Sequence, residues 1–200
     1  MKKIALLLVV FVALLPLYGC GGGQDARHAG GRDKAAWWGL PKTKPDPTAR
    51  RRIALSDKHG TEAVDLVYYR NGRYDPAAMR KINRLFRDKR ANEEGDIDPE
   101  LIDYLVDIRT RLNLPSSVTF EILDGYRTQE TNEWMAQRNN NVALESHHMR
   151  GWAVDFRIQG VDGRAICEIA KTMQRGGVAY YPKDNHVHVD LGNIRTWREK

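Results

Sequence analysis

Two histidines and a carboxylate stand at spacings that suit a metal ion: His148, Asp155 seven residues on, and His188 forty residues beyond His148. They fall in two short segments, SHHMRGWAVDF from Ser146 to Phe156 and HVHVDLG from His186 to Gly192. Imidazole nitrogen and carboxylate oxygen are what zinc accepts at roughly 2.0–2.2 Å, and three such ligands with a fourth position left open make a catalytic zinc site. A salt bridge from Asp155 to Arg127 or Arg157 is the alternative use of that carboxylate. His147 and His148 are neighbours that face apart, so spacing alone leaves open which of the two binds.

Strand periodicity says how distant residues could meet. In HVHVDLG, alternate residues share a face, so His186, His188 and Asp190 point one way while Val187, Val189 and Leu191 point into a core. In the earlier segment Ala153, Asp155 and Arg157 share one face, and Val154, Phe156 and Ile158 the other. A carboxylate between Val154 and Phe156 has lost much of its water and needs a cationic or metal partner. If both segments are strands of one sheet, Asp155 and His188 converge, and His148 can join from the loop before Gly151.

The elements that must position these groups read as an α+β domain. Ala63–Tyr69 alternates as a strand, and Asn71-Gly72 is a two-residue hairpin turn returning through Arg73-Tyr74. Pro76 opens a helix with Met79, Ile82, Leu85 and Phe86 on one face, and Arg87–Ala91 reads as its solvated, charged end. Asp98-Pro99 caps and starts a second helix with an apolar stripe of Ile102, Leu105, Val106, Ile108 and Leu112, closed off by Pro115. Val118–Leu123 is β-rich. A helix follows from Thr128 to Arg138, then a strand over Trp152–Ile158 and a helix over Gly163–Gln174. That helix should end on Gly176-Gly177 in the left-handed conformation. Val178–Tyr181 and His186–Leu191 pair through the turn 182–185. The expected architecture is a small, mostly antiparallel sheet with helices mainly on one face.

Length and charge bound the rest. Two hundred residues allow one domain with an appendage. The net charge is +6, and removing Lys2 and Lys3 leaves 30 basic against 26 acidic residues, a mild excess that suits an anionic envelope polymer. No compact basic stripe argues for nucleic acid. Residues 1–19 read as an export signal, with Lys2 and Lys3 before an apolar run too short for a comfortable membrane span. The run ends Leu17-Tyr18-Gly19-Cys20, which resembles a bacterial lipobox despite the bulk of Tyr18. Cys20 would then carry lipid and anchor the chain to a membrane. An ordinary signal peptide or an uncleaved anchor is the alternative. Residues 20–51, rich in glycine, proline and charge, read as a flexible tether; Trp37 and Trp38 within it could dock on the domain or on lipid headgroups. The folded domain is expected over 52–200. The other cysteine, Cys167, lies in a helical pattern and reads as a buried hydrophobe.

The motif Ser146-x-His148-x-x-Gly151-x-Ala153-x-Asp155, with His188-x-Asp190 before Gly192, resembles the zinc-binding motifs of the D-alanyl-D-alanine carboxypeptidase and hedgehog-type peptidases. More narrowly, the chain is similar to the murein endopeptidase K-like branch of that group from about Arg52 to Trp197. Further matches are Leu85-Phe86-Arg87-Asp88, Ile97-Asp98-Pro99, Gly125-Tyr126-Arg127-Thr128 with Asn132, Gly176-Gly177-Val178, Tyr180-Tyr181-Pro182 and Arg195-Thr196-Trp197. The resemblance implies a Zn2+ cofactor with His148, Asp155 and His188 as ligands, which would decide between the adjacent histidines. It also implies that Arg127 binds substrate and stabilises the oxyanion. Two departures bear on the base: a Glu-x-x-His pattern would need glutamate where Asn185 stands, and position 186, apolar in near relatives, is His186.

The expected activity is zinc-dependent hydrolysis of peptide cross-links in peptidoglycan, in the cell envelope facing the periplasm. His186, about 6.6 Å along the strand from His188, is the candidate for carrying the proton from water to the leaving amine. Asp190 and Asp184 are candidates to orient the histidines from behind, and Ser146 either bonds a ligand or caps its loop. A monomer is expected. Two other functions fit the same residues: a non-catalytic lipoprotein that binds peptidoglycan, and a D,D-carboxypeptidase or dipeptidase acting on small muropeptides.

Overall fold

The computed structural model describes residues 45–139 and 142–198. The export signal, Cys20, Trp37, Trp38 and nearly all of the tether lie outside the described residues. No helix among the described residues is long and apolar enough to cross a membrane.

The chain begins with β1 (Arg51–Asp57), β2 (Ala63–Arg70) and the short β3 (Arg73–Tyr74). Asn71 and Gly72 turn the β2–β3 hairpin with φ of 52° and 74°, the left-handed backbone such a turn demands. α1 (Pro76–Phe86) and α2 (Pro99–Arg111) follow, then β4 (Thr119–Asp124), α3 (Gln129–Ala136) and a 3-10 turn at His147–Arg150. The last third holds β5 (Ala153–Ile158), α4 (Gly163–Thr172), β6 (Gly177–Tyr181), β7 (His186–Asp190) and β8 (Arg195–Arg198). Each helix starts on a side-chain cap. Asp75 accepts from the Ala77 and Ala78 amides before α1, and Asp98 from the Glu100 amide before α2. Thr128 caps α3 and Asp162 caps α4, so each first turn has at least one of its free amides satisfied.

The eight strands among the described residues form one sheet in the order β3-β2-β1-β4-β5-β7-β6-β8. Pairing is antiparallel except for β1 with β4 and β6 with β8. The α+β expectation, with a mostly antiparallel sheet, is borne out. β1 and β8 were not anticipated. α2 and α4 pack together, joined by the Tyr104 hydroxyl donating to Ala170 O at 3.0 Å. Leu101, Ile102, Leu105, Ile108, Phe120, Val154, Phe156, Ile166, Val187 and Val189 are all fully buried, each such side chain contributing about 1.5–3 kcal/mol. Cys167 is buried among them.

At the β1–β3 end, α2 buries a carboxylate. Asp103 is 1% exposed. It accepts from the Tyr68 hydroxyl at 2.7 Å and from the Tyr74 hydroxyl, and pairs with Arg51 at 3.1 Å. Arg51 also reaches Asp107, which Arg175 holds at 2.6 Å.

Two local expectations need correction. The 87–91 run is not a solvated helix end: α1 stops at Phe86, and Asp88 is buried. Its carboxylate accepts from the Arg90 and Ala91 amides and from the amide and hydroxyl of Thr128, at 2.9–3.0 Å. Nor do Gly176 and Gly177 supply a left-handed helix end. Gln174, with φ 50°, does that. The glycines are there for space: a Cβ on Gly176 would lie 1.8 Å from Asp190 O, and one on Gly177 would lie 2.4 Å from Asp190 Oδ2.

Candidate metal centre

β5 and β7 pair antiparallel with Asp155 directly opposite His188, flanked by Val154 opposite Val189 and Phe156 opposite Val187. The valines and Phe156 fill the core, which sends Asp155 and His188 together to the other face. A bulge in β4 brings Asp124, rather than Leu123, opposite Asp155 on that same face. His148 comes from the 3-10 turn. Ser146 Oγ accepts from the His148 amide at 3.3 Å at the start of the turn, and Gly151 ends it with φ 65°. Asp96 O would lie 2.0 Å from a Cβ at Gly151, so only glycine fits there.

The three side chains meet. His148 Nε2 lies 3.4 Å from His188 Nδ1 and 3.6 Å from Asp155 Oδ1, and the latter two atoms are 2.7 Å apart. Ligands about 2.0–2.2 Å from one tetrahedral ion would be roughly 3.3–3.6 Å from each other. Among the described residues this is the group that could hold a metal ion. His148 and His188 are 2% and 7% exposed.

Hydrogen bonds behind the two histidines fix which ring atom faces inward. His148 Nδ1 lies 2.6 Å from Gly125 O. A carbonyl can only accept, so Nδ1 carries the proton and Nε2 keeps its lone pair. His188 Nε2 donates to Asp190 Oδ2 at 3.0 Å, which leaves Nδ1 to face Asp155 and His148. A carboxylate or carbonyl behind a metal-binding histidine is what orients the ring and raises its basicity. Asp190, fully buried, also accepts from the Gly177 and Gly192 amides and from Arg195.

Arg127 is 8% exposed and lies at the edge of this cluster. Its Nη2 is 3.6 Å from Asp155 Oδ2, Nε donates to Asp124 at 2.8 Å, and Nη1 to Asn132 at 3.4 Å. The Arg127 amide donates to His148 O at 3.3 Å, and the Tyr126 amide to Phe86 O at 2.7 Å. Asp88, through Thr128, ties the same segment to the end of α1. Arg127 and His148 are thus held by one set of loop contacts.

Charge in the cluster is strongly coupled. Burial opposes a charged His188, but hydrogen bonds to Asp155 and Asp190 and their charges push it up to about 9. Burial would raise Asp155, and the two histidines instead hold it well below the usual carboxylate range. Asp190 is lowered against burial by His188, Gly177 and Arg195. These opposed shifts favour a proton shared between His188 and Asp155.

The other anticipated residues are scattered around this centre. His147 stays outside it, 5.9 Å from the Trp152 ring. Its Nδ1 is buried with no hydrogen-bond partner among the described residues. His186 shares the face of His188 and stacks on Tyr181 at 4.4 Å. Asp184 is exposed in the β6–β7 turn; Asp190 is the carboxylate that reaches a histidine. Arg157 pairs with Glu121 rather than with Asp155. The individual roles of Asp124, Asn132, Arg195 and Trp197 were not anticipated. Trp197 lies 5.1 Å from the His188 ring and its indole N–H donates to the Tyr181 hydroxyl at 3.2 Å. The matched Gly-Tyr-Arg-Thr and Arg-Thr-Trp segments contained the signal, but without partners.

The model of the family described as "Peptidoglycan L,D-endopeptidase MepK" matches residues 46–197. The "Probable peptidoglycan L,D-endopeptidase MepK" of Haemophilus influenzae is 39% identical over 125 residues, covering 62% of this chain and 67% of that protein. The "Peptidoglycan L,D-endopeptidase MepK" of Escherichia coli is 37% identical over 151 residues, covering 75% of this chain and 82% of that protein. The protein of that name from Shigella flexneri matches to the same extent. No solved structure matches the chain significantly.

Proposed function

This chain belongs to the peptidoglycan L,D-endopeptidase family, and on that premise we propose that it hydrolyses L,D peptide cross-links of peptidoglycan with a zinc ion. The observation that carries the reading is the convergence of His148 Nε2, Asp155 Oδ1 and His188 Nδ1, each with its outer atoms engaged from behind. Three protein ligands leave room for water or substrate at a fourth position. Zinc bound there supplies a Lewis acid and a water acidified towards roughly pH 7.

The protein's own residues do the rest. Arg127, held by Asp124 and Asn132, presents positive charge beside Asp155, where the carbonyl oxygen of a bound peptide would develop negative charge. Its rigid support means that little reorganisation is needed when that charge forms. His186, on the same face of β7 as His188, accepts the proton of the attacking water and returns it to the leaving amine. The rings of Tyr181 and Trp197 border the same strand face and exclude water from one side. We place the enzyme in the cell envelope, tethered by lipid on Cys20, where peptidoglycan is within reach.

Digestion of purified cross-linked peptidoglycan by the full-length protein tests the reading. Cross-linked dimers should disappear, and EDTA or His188→Ala should stop their loss, with zinc restoring activity only to the chelated wild type. Product masses name the bond. A protein that takes up zinc stoichiometrically yet releases no fragment from polymer or muropeptides would be a binding protein instead.

A further inference from the structure

Asp190 accepts more hydrogen bonds than its partnership with His188 requires, and the surplus leads to the last described strand. Oδ1 accepts from the Gly177 amide at 3.0 Å, the Gly192 amide at 2.7 Å and Arg195 Nη1 at 3.2 Å. Oδ2 accepts from His188 Nε2 at 3.0 Å and Arg195 Nη2 at 2.7 Å. The Arg195 guanidinium thus holds both oxygens of a carboxylate that is itself fully buried. A two-pronged contact fixes the plane of the carboxylate as well as its position.

The strand order explains why an arginine can do this. β8 runs parallel to β6 with Arg195 opposite Gly177 and Trp197 opposite Ala179. Ala179 in turn pairs with His188 across β6 and β7. Two residues of β8, spaced by two, therefore approach the same imidazole. Arg195 acts on its Nε2 edge through Asp190, and Trp197 packs against its ring at 5.1 Å. Arg195 also lies over the Trp197 ring at 4.9 Å. A side chain at Gly177 would sit 2.7 Å from Arg195 Nη1, so the glycine opens the gap through which the guanidinium reaches the carboxylate.

We infer that Arg195 is a positioning residue for the metal centre, setting the orientation of His188 through Asp190, with Trp197 bracing the same ring. The inference rests on the reading of His148, Asp155 and His188 as metal ligands. It assigns part of the metal affinity to a strand outside both ligand segments, reached only by the parallel β6–β8 pairing. Removing a group that orients a metal-bound histidine typically lowers metal affinity 10–100-fold. Arg195 acts one bond further back, so the lower half of that range applies.

The experiment compares full-length wild type, Arg195→Ala, Arg195→Lys, Trp197→Ala and Thr196→Ala. Zinc dissociation constants are measured by chelator competition, and the visible spectrum of each cobalt-loaded form is recorded. Arg195→Ala should bind zinc about 10–30-fold more weakly and shift the cobalt bands, the sign of an altered ligand arrangement. Arg195→Lys, which keeps the charge but not the fork, should recover only part of the affinity. Trp197→Ala should weaken binding less, and Thr196→Ala, exposed on the other face of β8, should match wild type. Melting of the metal-free forms reports on folding, and if Arg195→Ala does not fold, Arg195→Lys decides. A folded Arg195 variant with wild-type zinc affinity and cobalt spectrum overturns the inference while leaving the metal centre intact. A wild type that binds neither zinc nor cobalt overturns the metal reading itself, and this inference with it.

Discussion

Two of the carboxylates that the fold sets amid opposite charge, the buried Asp103 and the half-buried Asp155, do different things. Asp103, between α2 and the β1–β3 end of the sheet, is surrounded by donors: two tyrosine hydroxyls and Arg51. Asp155, on β5, faces two imidazole nitrogens whose outer positions are already engaged by Gly125 and Asp190. Burial dominates at Asp103 and raises its carboxyl above the usual range despite the tyrosines. At Asp155 the histidines dominate and lower it. A buried charge by itself marks no site. What distinguishes the second cluster is that two ring nitrogens and a carboxylate oxygen converge, while the outer nitrogen of each ring is held from behind by Gly125 O or Asp190.

Changes at each carboxylate should separate accordingly. The largest effect is expected from His188→Ala, which should reduce cross-link cleavage to the background rate and remove stoichiometric zinc, measured by muropeptide chromatography and metal analysis. Arg127→Ala should retain zinc but lower kcat by about 10²–10³, the typical cost of one oxyanion donor; an unchanged kcat would remove it from that role. Asp103→Asn should do the reverse. It breaks a buried ion pair at a cost of about 3 kcal/mol, lowering the melting midpoint while zinc content and activity per folded molecule stay near wild type. If Asp103→Asn lowers zinc affinity, the two clusters are not independent.

The smallest effect is a pH dependence of the metal-free protein. His188 sits at about 9, above the roughly 6.5 of an unfolded histidine. Its charge thus contributes stability that is complete below about pH 6.5 and disappears as pH rises through about 9. Asp155 and Asp190 are lowered, so their contribution is present above roughly pH 4 and lost in acid. The chelated protein should melt highest between about pH 4 and 6.5 and lose stability towards pH 9. His188→Ala should flatten the alkaline side. Zinc uptake near neutral pH should release protons, because the ion takes the place of the one shared by His188 and Asp155.

Much of this centre was legible in the sequence because it rests on local rules. Alternation alone placed Asp155 and His188 on the site face and Val187 and Val189 in the core, and the caps at Asp98 and Thr128 are where side-chain chemistry puts them. The failures are places where a residue's partner lies far along the chain. Asp88 looked like part of a solvated charge run, since nothing local shows that Thr128, 40 residues on, supplies its donors. Gly176-Gly177 carried the composition of a helix end. Their use is to admit Asp190 and Arg195, which only the sheet order brings alongside. β8 is four residues, RTWR, too short and too charged to announce a strand before its parallel partner is known.

The pairing of Asp155 with His188 makes the centre depend on register and not on distance along the chain. The two are 33 positions apart, with α4 and β6 between them, and the chain leaves and returns through turns at 159–162 and 182–185. Residues added at those turns lengthen the excursion without moving Asp155 or His188. One residue added inside Ala153–Ile158 or His186–Asp190 turns that strand's side chains to the opposite face, burying a ligand among valines and presenting a valine where the metal would bind. An insertion scan through this third of the chain should therefore show tolerance at the turns and abrupt loss of zinc binding inside the two strands.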